Sequence, residues 1–353
     1  MTRNVRKVIG GVDTHSLTHH AAVLDAVTGE VLSDRQFEAT EVGYRRLLGW
    51  FNSQGELVAV GVEGAGCYGA GLARFLARSQ VQVHDVPRPD RTVRRRQGKT
   101  DPIDAVCAAR KVIAGESLAI PKTGIGPVEA IRAIHLARNG AVKARVAAVN
   151  QLHALLVTAP APLRAQLQPL TGVALVAACA ALRPAAGKLD DPLCATKVGL
   201  RRLAHRIQTL TEEISDADTD LDHLTARCAP TLRNLPGVGP TVAAQLLITC
   251  GDNPHRLRSD ASFARLTGAA PIPASSGQTR RHRLHRGGDR QANRALYTIC
   301  LTRLRHHQPT RDYTQRRTTE GLNKKEIIRC LKRYICREVL TAIKTDLATL
   351  DAT

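Results

Sequence analysis

The chain has 353 residues and a formal net charge of +20, which arises from 51 Lys and Arg against 31 Asp and Glu. Single cores rarely grow beyond roughly 250 residues, so this length predicts two or three domains. The charge favours a nucleic-acid partner over a merely basic soluble protein, and an aromatic content of only 3% disfavours binding of single strands by stacking base after base on rings.

Residues 1–120 alternate strand patterns with helical patterns. Apolar runs typical of strands occur at residues 8–12, 21–24, 31–32, 57–62 and 81–83. Helical spacing of apolar residues occurs at residues 44–51, 70–77 and 101–113. A meander of three antiparallel strands followed by alternating strand and helix predicts an α/β domain with a ribonuclease H-like, resolvase-type fold.

Residues 121–230 are predicted to be a helical linker and coiled-coil region. Pro121 and the Gly-rich residues 124–127 form a linker by composition, and only helical patterns follow it. Between Leu203 and Leu224, apolar residues alternate steps of four and three, the pattern of a coiled-coil seam. Two alternatives remain open, an oligomerising coiled coil and one helix of a bundle, in which residues 131–157 would be the intramolecular partner.

Residues 231–353 are predicted to form a mainly helical domain that carries 22 Lys and Arg against 9 Asp and Glu. The turn at residues 235–240, with Gly237 and Gly239, resembles half of a helix-hairpin-helix that binds DNA phosphate through backbone amides. A tight helix–helix turn is the alternative. A basic stretch predicted to bind phosphate contains Arg280, Arg281, Arg283, Arg286, Arg290 and Arg294. The same surface is predicted to include Lys324, Lys325, Arg329, Lys332 and Arg333.

Four carboxylates occupy positions where they are expected to converge. Asp13 ends the first predicted strand and Glu63 ends the central one. Asp101 and Asp104 begin a predicted helix, and their spacing of three places them on one face. Like charges this close require a cation, and hard oxygen ligands suit Mg²⁺. Two such ions about 4 Å apart would stabilise the attacking and leaving oxygens of phosphoryl transfer, so the set predicts a magnesium-dependent catalytic site.

Basic residues and histidines lie near these carboxylates in the sequence. Contact with DNA phosphate is predicted for Lys99 and for the preceding Arg94, Arg95 and Arg96. Three histidines are interpreted as surface or hydrogen-bonded strand residues rather than metal ligands: His15, His19 and His20.

Nine cysteines occur without a CxxC pair or a zinc-like histidine spacing. Several of them fall in apolar helical patterns, where reduced cysteine acts as a small hydrophobic residue. There is no N-terminal apolar stretch of signal length and no apolar run of about 18 residues. These features predict a cytoplasmic protein that does not span a membrane.

Taken together, these motifs resemble the DEDD transposases of the IS110 family of insertion sequences. The family's four carboxylates, which also resemble the site of Holliday-junction resolvases, correspond to Asp13, Glu63, Asp101 and Asp104. Its glycine turn corresponds to residues 236–239, and its serine motif to Ser276 and Gly277. The resemblance covers almost the whole chain.

This resemblance implies a recombinase in which Ser276 attacks a DNA phosphate to form a phosphoserine bond, while Mg²⁺ is held at the same phosphate. It further implies a structured non-coding RNA that pairs with donor and target double-stranded DNA, and dimers that join into tetramers with composite sites. Ser275 is the competing nucleophile. The family's serine motif usually continues with Gly and Lys, whereas this chain has Gln278 and Thr279, so Arg280 or Arg281 is the candidate replacement for the lysine.

Three functions are compatible with the sequence. An RNA-guided recombinase and a structure-specific endonuclease would share the carboxylates, but only the recombinase would use the serine to form a covalent intermediate. A non-catalytic nucleic-acid scaffold would need the basic surface alone.

Overall fold

The computed structural model describes residues 5–87, 100–115, 119–253, 257, 259–277 and 281–351. The chain forms two compact units. The first comprises Met1–Gly126 with Cys250–Arg258, and the second comprises Pro127–Thr249 with Ser259–Thr353. Several residues discussed above lie outside the described part of the chain: Arg94, Arg95, Arg96, Lys99, Gln278, Thr279 and Arg280.

The first unit contains a mixed five-stranded sheet. Its strands are β1 Lys7–Thr14, β2 Thr18–Asp25, β3 Val31–Glu38, β4 Glu56–Glu63 and β5 Val83–Val86. The strand order is β3-β2-β1-β4-β5. The first three strands are antiparallel, whereas β4 runs parallel to β1 and β5 runs parallel to β4. The antiparallel meander and the buried central strand that the sequence predicts are therefore confirmed.

The fifth strand starts later than the prediction of residues 81–83. Val81 donates its backbone N–H to the carbonyl of Leu76, which closes the end of the preceding helix. One residue earlier the chain turns at Gln80, whose φ of 60° is unusual for a residue with a side chain. Apolar alternation cannot distinguish the end of a helix from the start of a strand, so the prediction was displaced by two residues.

Three described helices cover this sheet: α1 Glu41–Gln54, α2 Ala70–Arg78 and α3 Asp101–Ile113. Alternate residues of each strand face opposite sides of a sheet. On one side, the apolar side chains of α1 and α2 pack on Val8, Val12, Val60 and Val62. On the other side, α3 packs on Ile9, Ala22, Leu24 and Ala59. Burial on both faces explains why these strands are almost continuously apolar.

The second unit is mainly helical, as predicted. Its described helices are α4 Pro127–Val157, α5 Ala161–Leu167, α6 Gly172–Ala180, α7 Pro192–Cys228, α8 Pro230–Arg233, α9 Pro240–Cys250, α10 Asp260–Leu266, α11 Arg290–His306, α12 Gln308–Thr319 and α13 Lys324–Asp351. Two short strands, β6 Ile272–Pro273 and β7 His282–Arg283, interrupt this helical pattern.

The heptad seam of α7 is filled within the chain. Its residues Ile207, Ile214 and Leu221 are buried, and α7 packs along α4. An ion pair joins the two helices, with Arg138 Nε 2.5 Å from Asp218 Oδ1. The predicted intramolecular partner of the seam is therefore confirmed, and an oligomerising coiled coil stays a prediction.

The described part of the chain contains no helix that is both long and apolar enough to cross a bilayer. All nine cysteines lie in the described part of the chain as thiols without disulfide bonds, and most of them are buried. Burial raises the pKa of the Cys228 and Cys300 thiols to about 11. These thiols stay protonated at neutral pH and act as apolar packing groups.

Candidate functional site

Asp13 and Glu63 lie at matching ends of two neighbouring parallel strands. The register of β1 and β4 pairs Gly11 with Gly61 and Val12 with Val62, and each carboxylate follows one residue later. The Thr14 hydroxyl donates to the carbonyl oxygen of Glu63 at 2.7 Å, which ties the two strand ends together. Both Asp13 and Glu63 are only 6% exposed. The two strands thus present buried carboxylates at one edge of the sheet.

Two glycines let α3 lie directly on these strands. A Cβ atom at Gly11 would be 2.1 Å from the Ala105 carbonyl oxygen, and one at Gly61 would be 2.7 Å from the Ala108 carbonyl oxygen. Side chains two residues apart in a strand point to the same face, so Gly11 and Asp13 both face α3. The close contact at the glycines brings the start of α3 to the carboxylates.

The start of α3 supplies the other two predicted carboxylates. Pro102 in the first turn is compatible with a helix start, where no intrahelical partner is needed for its nitrogen. Asp101 and Asp104 also lie in the first turn, where the helix dipole favours negative charge. Asp104 is 3% exposed, whereas the Asp101 side chain is 49% exposed. The helix thus contributes one buried and one accessible carboxylate.

His15 lies between two of these carboxylates, a position that the sequence interpretation missed. Its Nε2 atom is 3.3 Å from Asp13 Oδ2 and 3.3 Å from Asp101 Oδ1. The ligand atoms of Asp13, His15 and Asp101 all lie within 4.8 Å of one another. The turn between β1 and β2 holds His15 there, because its backbone N–H donates to Thr18. The position of His15 two residues after Asp13 is the sequence signal that could have identified it.

The other two histidines behave as the sequence interpretation expects. His19 is buried on β2, where its ring stacks on Tyr44 with centroids 5.7 Å apart. His20 Nε2 lies 2.6 Å from Asp34 Oδ2 on the neighbouring strand. Both are strand residues with a hydrogen-bond partner, and the Nε2 atom of His19 is buried without one among the described residues.

The electrostatics of this carboxylate edge favour a cation. Burial raises the pKa of Asp13, and the charges of Asp104 and Asp101 raise it further, against the opposing effect of His15. The pKa of the Cys107 thiol is also raised, by burial first and then by the nearby Asp104 and Glu63 charges. A divalent cation would relieve the repulsion among these carboxylates. The donor set, mainly carboxylate oxygen with one imidazole nitrogen, suits such an ion.

The predicted serine lies in a short hairpin of the second unit. Ile272 of β6 pairs with Arg283 of β7, and Pro273 pairs with His282. Beyond the strands, the Ala274 N–H donates to the Arg281 carbonyl at 2.8 Å, and the Ser275 hydroxyl lies 3.5 Å from the same oxygen. Ser276 and Gly277 follow and are exposed. Gly277 has a φ of 54°, the left-handed region that glycine enters without strain.

Asn293 and Asp289 fix the base of this serine hairpin. The Asn293 amide donates to the carbonyls of Thr267 and Gly268 at 2.9 and 2.8 Å. Asp289 caps α11 by accepting from Gln291 N–H at 2.8 Å. The predicted phosphate-binding side chains on these elements are exposed: Arg281, Arg283, Arg286, Arg290 and Arg294.

The glycine turn before α9 packs against α11. A Cβ at Gly237 would lie 3.2 Å from the Ile299 carbonyl oxygen, while one at Gly239 would meet open space. The Arg303 Nε atom donates to the Pro236 carbonyl at 2.8 Å. This packing gives the turn a role in joining helices, and phosphate binding by Gly237 and Gly239 stays a prediction.

Two protein-family models match the chain. The DEDD transposase model, described as "Transposase", matches residues 10–159. The model described as "Transposase IS116/IS110/IS902 family" matches residues 229–315. The chain belongs to the IS110 family of transposases. The two matched regions contain the carboxylate edge and the serine hairpin respectively.

Three curated relatives resemble parts of this IS110-family chain. It is 31% identical to the insertion element IS900 uncharacterized 42 kDa protein of Mycobacterium paratuberculosis over 144 residues, 40% of the chain and 36% of the relative. It is 37% identical to the insertion element IS110 uncharacterized 43.6 kDa protein of Streptomyces coelicolor over 95 residues, 26% of the chain and 23% of the relative. It is 31% identical to the insertion element IS116 uncharacterized 44.8 kDa protein of Streptomyces clavuligerus over 126 residues, 34% of the chain and 31% of the relative. These matches span little more than a third of any relative.

Proposed function

We propose that this IS110-family transposase cleaves and rejoins double-stranded DNA at the ends of an insertion sequence, with a divalent metal and a serine nucleophile. The observation that carries the proposal is the carboxylate edge, where Asp13, Glu63 and Asp104 are each at most 6% exposed. Buried ionised carboxylates are strongly unfavourable unless a cation or donors compensate them. Their concentration within a region matched by a transposase model supports a catalytic metal site.

A ribonuclease H-like fold for the first unit is part of this proposal. The strand order β3-β2-β1-β4-β5, with β4 and β5 parallel to β1, supports it. In such a fold, carboxylates from the ends of β1 and β4 and from a later helix meet at one edge. Asp13, Glu63 and the start of α3 fit that arrangement.

The metal would be held by Asp13, Glu63, Asp101 and Asp104, with His15 as an additional nitrogen donor or as a group that orients Asp13 and Asp101. Mg²⁺ is the ion we propose, because the carboxylate oxygens are hard ligands. Bound there, the ion supplies Lewis-acid polarisation of the scissile phosphate and neutralises charge that develops on its oxygens.

The serine would act on the same phosphate. Its hydroxyl oxygen attacks phosphorus, and an oxygen–phosphorus bond forms as the phosphodiester bond to the leaving strand oxygen breaks. The phosphoserine linkage is itself a phosphate ester. A hydroxyl of another strand can therefore attack its phosphorus, release the serine and join the strands. Arg281 and Arg283 beside the hairpin would neutralise the phosphates on either side.

The partners of the reaction are proposed from the family resemblance. A structured non-coding RNA would select donor and target DNA by base pairing, a kind of readout that leaves little trace in the protein sequence. Dimers joining into tetramers would allow the carboxylate edge and the serine hairpin to combine in composite sites.

The deciding experiment is denaturing electrophoresis of labelled element-end DNA after incubation with protein, Mg²⁺ and the RNA transcribed from the element. Wild type should leave a slowly migrating protein–DNA species. Ser276→Ala and Asp104→Asn should both lose it, whereas Ser275→Ala, the matched neighbour, should keep it. Cleaved strands without any adduct would favour the endonuclease alternative. An adduct that persists in Ser276→Ala would remove Ser276 from the mechanism.

A further inference from the structure

A strongly basic cleft of about 570 Å³ lies within the second unit. Its walls come from the serine hairpin and from helices α12 and α13. Eight arginine and lysine side chains line it, against one carboxylate, that of Glu326. All of α13 lies beyond residues 229–315, the region matched by the second family model. The cleft therefore extends past the serine motif.

Some of these cations have carboxylate partners and others do not. Arg329 lies 4.0 Å from Glu326, and Arg337 lies 3.3 Å from Asp260. On α12, Arg316 and Arg317 both pair with Glu320. Within the described part of the chain, no carboxylate forms an ion pair with Arg281, Arg283 or Lys332. The cleft thus carries positive charge that the described residues do not neutralise.

Lys332 is the most buried of these cations. It is 5% exposed, and its ammonium donates to Asn293 Oδ1 at 2.9 Å. An ammonium has three donors, and a neutral amide oxygen satisfies one of them without balancing the charge. Burial lowers the pKa of Lys332. Two other groups that line the cleft, Arg333 Nη1 and His285 Nδ1, are buried without a hydrogen-bond partner among the described residues.

Asn293 connects this lysine to the serine hairpin. Its Oδ1 atom accepts from Lys332, while its Nδ2 atom donates to the carbonyls of Thr267 and Gly268. The chain then runs through residues 269–271, which line the cleft, into β6. An anion held by Lys332 would therefore sit at the base of the hairpin that carries Ser276.

We propose that this cleft binds a phosphodiester backbone, with one phosphate held by Lys332, which Asn293 positions. Phosphate oxygens supply the charge and the acceptors that Lys332, Arg333 and His285 lack, and the arginines of β7 and α12 contact the neighbouring phosphates. DNA and RNA share this chemistry, and the test separates them. The proposal rests on the proposed function, because it requires that the chain acts on nucleic acid.

The test is Lys332→Met, which keeps the length of the side chain and removes its charge. Binding of labelled DNA duplex and of structured RNA is measured by fluorescence anisotropy at several salt concentrations, alongside thermal unfolding. Loss of one phosphate contact should reduce the slope of log affinity against log salt by about 0.7–0.9. The thermal midpoint should stay equal or rise, since a buried charge is replaced by an apolar group. Lys344→Gln, about 18 Å further along α13, is the matched control and should leave the slope unchanged.

A reduced slope with DNA alone assigns the cleft to DNA, one with RNA alone assigns it to RNA, and a reduction with both assigns it to either backbone. An unchanged slope with both in a folded Lys332→Met variant overturns the proposal. If this variant does not fold, Arg283→Gln on exposed β7 takes its place, and an unchanged slope there has the same meaning. The adduct assay with wild type tests the proposed function separately. The proposed role of the cleft can therefore be refuted while the proposed strand cleavage is retained.

Discussion

Three of the four carboxylates at the edge of the first unit are buried, whereas the serine hairpin of the second unit is exposed. The edge is positioned by parallel strand register and by the contact of α3 with Gly11 and Gly61. The hairpin has strands of two residues each, too short to be stable alone. The edge is therefore preorganised by the core, whereas the hairpin can be altered without disturbing the core. Substitutions in the two regions should therefore separate chemistry from stability.

The largest effect is expected from Asp104→Asn at the buried edge. The amide keeps the volume of the carboxylate but removes a charged metal ligand, so strand cleavage should fall by more than the roughly 10- to 100-fold loss typical of groups outside the ligand shell. Nucleic-acid affinity should stay unchanged, because the basic surface is intact. Cleavage rates and anisotropy on the same preparation measure both. Wild-type cleavage by Asp104→Asn would exclude Asp104 from the site.

Gly11→Ala tests whether the core places the edge. The added Cβ would overlap the Ala105 carbonyl oxygen and the Ala109 nitrogen, so α3 must shift. Overpacking of this kind costs about 1–3 kcal/mol, and cleavage should fall with it. The matched control is Gly49→Ala, an exposed position in α1 with open space around it, where alanine should stabilise the helix by about 0.5–1 kcal/mol. Equal midpoints for both variants in thermal unfolding would contradict the close contact of α3.

Asp13→Asn should stabilise the metal-free protein at pH 7. Burial raises the pKa of Asp13 in the folded state. The folded chain therefore binds this proton more tightly than the unfolded chain, and the resulting stability is lost as pH rises through the folded-state pKa. Asparagine is uncharged throughout, so the thermal midpoint of the variant should lie above that of wild type at pH 7.

Metal addition provides the control for Asp13→Asn. Mg²⁺ should raise the midpoint of wild type more than that of the variant, because a ligand that binds the folded state stabilises it. A variant that is less stable than wild type without metal at pH 7 would show that Asp13 is compensated by other groups.

The smallest effect on stability is expected in the hairpin. Replacing Arg281 and Arg283 together by glutamine should reduce the salt slope of nucleic-acid binding by roughly 1.8 if both contact duplex phosphates. Because both side chains are exposed, unfolding free energy should change by no more than about 0.5 kcal/mol for each. Titrations at several salt concentrations and thermal unfolding would measure both. A large loss of stability would mean that the hairpin supports the fold. It would contradict the conclusion that the hairpin, unlike the buried edge, can be altered without disturbing the core.

Local pattern placed most elements of the first unit correctly. The helix predicted at residues 101–113 is α3 Asp101–Ile113, since a proline and two acidic residues in its first turn mark where it begins. The strand ending at Glu63 was also predicted correctly, because both of its faces are buried and its sequence is continuously apolar. The strand at Val83–Val86 was displaced, because Val81, which the pattern assigned to the strand, donates its backbone N–H to Leu76 at the end of α2.

Residue type and short spacing in the sequence were sufficient to predict the charge, the family resemblance, and the positions of Asp13, Glu63, Asp101 and Asp104 on their elements. The folded structure was needed to show that His15 lies between Asp13 and Asp101, that α4 fills the seam of α7, and that Lys332 is buried beside Asn293. Asp13 and Asp101, like Asn293 and Lys332, are brought together by helices and strands packing across long stretches of chain. Such packing is fixed by side-chain volume and backbone approach, which no local pattern of apolar and charged residues encodes.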